Sequence, residues 1–222
     1  MEYKKEMINR IIGLSGRYSP YEVFTDFIRM ASISIQNSCD MFHGKIWKER
    51  EQLYMDTARK YTVEELNSMA ELTGLLTKAL EEKMEDVLGD VYMKSGMGSS
   101  AAGQFFTPFH LSELTARVSI DIERIQKTDE IIELNEPSVG GGGMVIAACK
   151  VLQDYGIDFQ RRLKVVAQDL DWKGVYMTYL QLSLIGCNAI VVQGNTLSEP
   201  YDISKADPAH IMRTPMNMGV LV

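Results

Sequence analysis

Glu136-Pro137-Ser138-Val139-Gly140-Gly141-Gly142-Gly143 is the stretch that decides how this 222-residue chain is read. It follows a short apolar-rich segment, Glu130 to Leu134 (EIIEL), that reads as a strand. It precedes a helical pattern from Met144 to about Tyr155. Glycines after a first strand let the backbone turn tightly and approach a ligand with no Cβ in the way. The following helix points its free N–H groups and positive dipole end at the same place.

Further along, Leu163 to Ala167 (LKVVA) reads as a second strand ending at Gln168-Asp169. Trp172 to Ile185 reads as a helix stopped by Gly186, and Ala189 to Val192 as a third strand running into Gln193-Gly194-Asn195. Strands separated by helices of this length predict parallel pairing. Ligands of open α/β sheets bind outside the carboxyl ends of the strands. Glu136, Asp169 and Asn195 are three successive strand ends and converge there, although each alone reads as a solvated loop residue. The turn carries an acid–Pro pair and lacks the G-x-G-x-x-G pattern of a dinucleotide fold. No Lys-Ser/Thr follows the glycines, which excludes a P-loop.

Upstream of about residue 96 the chain reads as helical. Ser19-Pro20-Tyr21-Glu22 has the form of a capping box, followed by Phe24, Phe27, Ile28, Ala31 and Ile35 on one stripe. A second helix covers about Ile46 to Lys60. A third starts at the capping box Thr62-Val63-Glu64-Glu65, and its stripe runs from Leu66 to Val91, as a bundle helix rather than a coiled coil. Ser95 to Ser100 is a small-residue linker. In Gly103-Gln104-Phe105-Phe106-Thr107-Pro108, Thr107 suits a cap with Pro108 in the first turn of a helix reaching about Ile120. The expected organisation is a helical domain over 1–95 and an α/β domain over 96–222. Gly219-Val220-Leu221-Val222 is placed to add a fourth strand.

The net charge of −7 argues against strong free-standing nucleic-acid binding, which Lys and Arg drive by neutralising phosphates. No apolar run reaches the roughly 18 residues of a membrane span, and the N-terminus lacks a secretory pattern. Cys39, Cys149 and Cys187 form neither a disulfide framework nor a zinc pattern, which reads as a cytoplasmic protein with buried thiols. His43, His110 and His210 are isolated, so no metal site is expected. Ser99-Ser100 lacks the surroundings of a nucleophile elbow.

The segment Glu136–Gly143 resembles the DPxxGxGG motif I of adenine-N6 DNA methyltransferases, in particular the modification subunits of type I restriction systems. Gly103–Pro108 resembles the family's GxFxTP segment, Val166–Asp169 its motif II strand, and Val192–Leu197 its GDTL motif III. Asp86-Val87-Leu88-Gly89-Asp90-Val91-Tyr92 is similar to the corresponding region of phage and mobile-element forms. The resemblance covers about residues 86 to 197. It implies a partial Rossmann-like core that binds S-adenosylmethionine. Phe105, Phe106, Thr107 and Pro108 would line the methionine end, Glu136 after its strand would accept from the ammonium, and Pro137 would belong to the cofactor-binding set. Gly140 and Gly142 would approach the amino-acid and sugar portions, Asp169 would bind the ribose hydroxyls, and Asn195 would face the adenine. Glu136 and Asn195 each replace an Asp of the family pattern; an amide oxygen still accepts a hydrogen bond.

In that family a [DN]PP[FYW] motif receives the flipped base, whose extrusion costs a few kcal/mol. This chain has Arg213-Thr214-Pro215-Met216 instead. On the base side that leaves Asn195, Thr214 and Pro215 as candidates. The core is also shorter than the seven strands the resemblance implies. A homo-oligomeric or heteromeric partner would then complete the sheet, and a partner protein would help to grip DNA. The resemblance therefore implies an S-adenosylmethionine-dependent DNA adenine methyltransferase of a restriction-modification or phage-related system. The alternative is a catalytically silent methyltransferase-like subunit or regulator. A small-molecule methyltransferase fits the GQFFTP string less well.

Overall fold

A computed structural model describes residues 2–97, 106–202 and 204–220. Two compact units emerge. One is Met1–Lys83 with Val87–Phe105, and the other is Met84–Asp86 with Phe106–Val222.

The first unit is helical: α1 (Glu2–Leu14), α2 (Pro20–Cys39), α3 (Lys45–Ala58), α4 (Val63–Glu82) and α5 (Val87–Lys94). Both capping boxes form. Ser19 and Glu22 exchange bonds at the start of α2, and Thr62 and Glu65 do so at the start of α4. The stripes pack inward, with Met7 and Ile11 of α1, Phe24 and Phe27 of α2, Leu72 and Leu76 of α4, and Leu88 and Tyr92 of α5 all buried. One acid is buried among them. Asp26 accepts from Tyr61 Oη at 2.9 Å, Arg29 at 2.8 Å and Lys60 at 3.0 Å. Burial, and then the Asp26 charge, push the Tyr61 hydroxyl far above its usual range. The helix expected to run on to Val91 is instead broken. Lys83 is extended at the end of α4, and Met84–Asp86 belong to the other unit.

The second unit contains α6 (Phe109–Ser119), α7 (Ile122–Gln126), β1 (Ile132–Glu136), α8 (Gly143–Asp154), α9 (Phe159–Arg162), β2 (Leu163–Asp169), α10 (Trp172–Leu184), β3 (Asn188–Gln193) and β4 (Ile211–Arg213). The sheet order is β1-β2-β3-β4, with the first two pairs parallel and the last antiparallel. This is a partial Rossmann-like core. The fourth strand is Ile211–Arg213, not the chain end: Gly219 and Val220 follow a turn closed by Val220 N–H on Pro215 O, and the last two residues lie outside the described ones. Pro108 is the residue before the helix, so α6 starts one position later than a Thr107 cap implies.

Register divides the strand residues between two faces of the sheet. Leu163, Val165, Ala167, Ala189 and Val191 share one face and are buried. Glu133, Lys164 and Asn188 form a row on the other face, and Asn135, Val166, Ile190 and Arg213 form the next. Parallel sheets covered on both faces carry apolar runs on both. Here the first row is polar, whereas Gln168 and Val192 further along the same face are buried, with Gln168 donating to Glu199 O at 2.9 Å. β1 pairs only with β2 among the described residues, so its outer edge is open.

Cys149 on α8 and Cys187 before β3 are fully buried with their sulfurs 3.7 Å apart. Burial first, and then Cys187, push the Cys149 thiol up. A chromogenic disulfide reagent should therefore titrate only Cys39 quickly in native protein and all three thiols in denaturant. Equal rates for all three would contradict this packing. No described helix is long and apolar enough to cross a membrane. No cluster of potential metal ligands occurs among the described residues.

Candidate functional site

The glycine turn is built from both sides. Gly140 and Gly142 have φ of +56° and +94°, the left-handed region that disfavours a side chain. A Cβ on Gly140 would stand 3.1 Å from the Phe106 ring, which lies over the turn. From the sheet, Val139 N–H donates to Gln168 O at 2.9 Å, and Gly140 N–H donates to Asp169 Oδ2 at 2.8 Å. From α10, Thr178 Oγ1 donates to Gly140 O at 3.0 Å and Gln181 Nε2 to Gly141 O at 2.8 Å. Both carbonyls are thereby turned into the protein. α8 starts at Gly143, and its first-turn N–H groups have no intrahelical partner.

Asp169 holds more than the notion of a ribose acceptor implies. Its Oδ1 accepts from Asp171 N–H at 2.9 Å, and its own carbonyl accepts from Gly194 N–H at 2.8 Å. The carboxylate thus ties the loops after β1 and β2 together, and the backbone carbonyl of the same residue holds the loop after β3. Each oxygen keeps a second lone pair for a hydroxyl donor. Thr196 Oγ1 closes the ring by donating to Pro137 O at 2.7 Å.

Glu136 ends β1 half-buried, its Oε1 accepting from Ser138 N–H at 3.3 Å. Asn195 is exposed after β3, and its side-chain oxygen accepts from Leu197 N–H at 3.0 Å. Glu136, Pro137, Gly140, Gly142, Asp169 and Asn195 therefore meet at one end of the sheet, with Phe106 over the turn. Thr107 and Pro108 follow Phe106 and are exposed. Phe105 lies outside the described residues.

Thr214 and Pro215 are elsewhere. Thr214 is fully buried, donates to Cys187 O at 2.7 Å and accepts from Ala189 N–H at 3.0 Å. β4 runs antiparallel to β3, so these residues sit beside the start of β3, at the amino end of the parallel strands. They are structural pegs there, not neighbours of Asp169. A recess of about 660 Å3 does adjoin the carboxyl ends, between Gln168, Gln193, Gly194, Tyr201 and His210.

Sequence reading passed over Gly174, Thr178 and Gln181. They recur at four- and three-residue spacing on α10, a small and polar stripe in an otherwise apolar buried helix. A Cβ on Gly174 would stand 2.7 Å from Asp169 Cγ, so only glycine leaves room for the acid. Asp86 stands out in the sequence only as part of a longer match; its carboxylate would lie 2.9 Å from a Cβ on Gly141.

The family model for N-6 DNA Methylase matches residues 83–216, which is most of the chain and includes this whole site. The chain belongs to the N-6 DNA methylase family. No protein of curated function matches the sequence. Two solved structures are similar at low identity. One, from Listeria monocytogenes, is assigned as a class I S-adenosylmethionine-dependent methyltransferase, with 14% identity and a TM-score of 0.48, covering 88% of this chain and 54% of that one. The other is a type I restriction-modification methyltransferase subunit from Streptococcus thermophilus, with 15% identity and a TM-score of 0.46, covering 84% of this chain and 42% of that one. The N-6 DNA methylase chain described here thus spans about half the length of either.

The donor set around the turn suits a particular ligand charge. A bare helix N-terminus attracts anions. Here the carboxylates of Asp86 and Asp169 already lie against the turn, and Glu136 ends the neighbouring strand. A pyrophosphate would meet three acids. A ligand with an ammonium and a sulfonium would find them complementary, and S-adenosylmethionine carries both.

Proposed function

We propose that the α/β unit binds S-adenosylmethionine across the Gly140–Gly143 turn. The observation that carries this is the pairing of left-handed glycines with flanking carboxylates at adjacent strand ends. Glu136 takes the ammonium, Asp169 the ribose hydroxyls, and Phe106, with Phe105, Thr107 and Pro108, covers the methionine end. Asn195 faces the adenine. When bound, this cofactor supplies a methyl group activated on a sulfonium. The chain's own part is to orient it and to keep the reacting end out of water. Calorimetry on folded protein should show S-adenosylmethionine binding that NAD and ATP do not displace. Displacement by either nucleotide, or no heat at all, would refute the reading.

Within that reading, the chain acts in DNA adenine-N6 methylation in a restriction-modification or phage-related system, in the cytoplasm, with helical and α/β parts as separate domains. The grip on DNA comes from a partner. The α/β unit carries ten Lys and Arg against sixteen Asp and Glu, and a surface of that sign repels phosphates. A further subunit, or a second copy, completes the sheet at β1. One observation favours a silent subunit or regulator over a self-sufficient enzyme: Thr214-Pro215, the remnant nearest to a base-binding motif, sits at the wrong end of the sheet. Transfer of a tritiated methyl group to unmethylated DNA separates the two. Transfer by the chain alone refutes silence.

A further inference from the structure

We infer that Asp86 is a positioning residue for the cofactor turn, acting through Gln181; this rests on the turn's being the S-adenosylmethionine site. Asp86 stands 95 residues before Gln181 in the chain, in a three-residue segment that packs with the α/β unit while the helices on either side pack elsewhere. It is 6% exposed. Its Oδ1 accepts from Gln181 Nε2 at 2.9 Å, and the second hydrogen of that nitrogen goes to Gly141 O at 2.8 Å. Its Oδ2 lies 2.9 Å from where a Cβ on Gly141 would stand and 3.4 Å from one on Gly143.

A carboxylate is kept out of water only where hydrogen bonds and dipoles hold its charge. Among its holders are the Gln181 amide and the positive end of α8, which starts at Gly143. The bridge therefore links three things: an acid, an amide and the Gly141 carbonyl. With the Asp86 acceptor in place, the Gln181 side chain has one orientation that satisfies both of its N–H groups. That orientation pulls the Gly141 carbonyl inward. Without Asp86 the amide loses one of the bonds that set its orientation, its hold on the Gly141 carbonyl weakens, and the turn presents a different surface to the ligand. Coupled groups of this kind lose function as a unit.

The test is a double-mutant cycle on S-adenosylmethionine affinity by calorimetry, using the full chain. Asp86→Ala and Gln181→Ala should each weaken binding at least about tenfold, and the double variant should be no weaker than about twofold beyond the worse single. Asp86→Asn keeps an acceptor for Gln181 and should bind within about threefold of wild type, a rescue that mere loss of packing would not show. Wild-type affinity in either single variant, or losses that multiply in the double, would overturn the inference. If Asp86→Ala does not fold, hydrogen exchange on ligand-free Gln181→Ala decides. Amides 141–145 should exchange at least about tenfold faster than in wild type with the rest of the unit unchanged, and unaltered exchange refutes the clasp. Wild-type protein that folds but does not bind S-adenosylmethionine removes the reading of the site instead, and the exchange measurement still judges the clasp on its own.

Discussion

Gly174→Ala should abolish most cofactor binding by displacing Asp169, although Gly174 has no side chain to touch the ligand. The added methyl would stand 2.7 Å from Asp169 Cγ and 2.9 Å from its Oδ2. The Ala side chain cannot move, because Gly174 is buried in the first turn of α10. Asp169 must swing out and give up its bonds to Gly140 N–H and Asp171 N–H. Hydrogen bonds to a charged group are worth roughly 1.5–3 kcal/mol each, while Ala in a helix recovers roughly 1 kcal/mol over Gly. The expected net loss of stability is roughly 2–5 kcal/mol. S-adenosylmethionine affinity should fall at least about thirtyfold, or roughly 2 kcal/mol. Asp169→Ala should do the same, and the double variant should add little to either. The check is a thermal melt with calorimetry on the three variants. A Gly174→Ala protein that binds as wild type would show that Asp169 is not the anchor of the turn.

Asp26→Ala should have the largest effect on the helical unit. It removes the shared acceptor of Tyr61, Arg29 and Lys60. The Tyr61 hydroxyl is left buried without a partner, and two cations lose their counter-charge. Both cations reach solvent in part, which limits the cost. The expected loss is roughly 2–3 kcal/mol, against about 1 kcal/mol for Asp26→Asn, which keeps the shape and an acceptor. Urea unfolding followed by circular dichroism measures both. The sign of the pH effect follows from Tyr61. Its hydroxyl stays protonated in the folded state far above its ordinary range, and the unfolded chain ionises it near pH 10. Wild-type stability should therefore fall as pH rises above about 10, and part of that slope should vanish in Asp26→Ala. Equal slopes in the two proteins would contradict the assignment.

Local chemistry made much of this molecule legible. The capping boxes at Ser19 and Thr62 are satisfied by residues three apart, so any chain with those strings tends to start a helix there. The same holds for the alternation of strand and helix after Glu130, whose boundaries shifted by only a few residues. It also holds for the glycines, whose need for positive φ is a property of the residue itself. These features placed Glu136, Asp169 and Asn195 at one end of a parallel sheet.

What sequence could not supply depends on distance in the chain. The helix ends at Lys83, and Asp86 just after it bonds Gln181, 95 residues downstream. The fourth strand was assigned to the chain end because Gly219–Val222 is apolar. Ile211–Arg213 takes that place because its antiparallel register lets Thr214 satisfy Cys187 O and Ala189 N–H, a bond no local pattern reveals. The same register removes Thr214 and Pro215 from the site. Gly174 looks like an ordinary helix glycine until Asp169 is folded against it. By itself, then, the sequence determined the capped helices, the strand–helix alternation after Glu130, the turn and the family, but not α1, α7, α9 or β4. Tertiary structure alone decided which side chains hold that turn in shape, because those contacts join residues that only folding brings within hydrogen-bonding range.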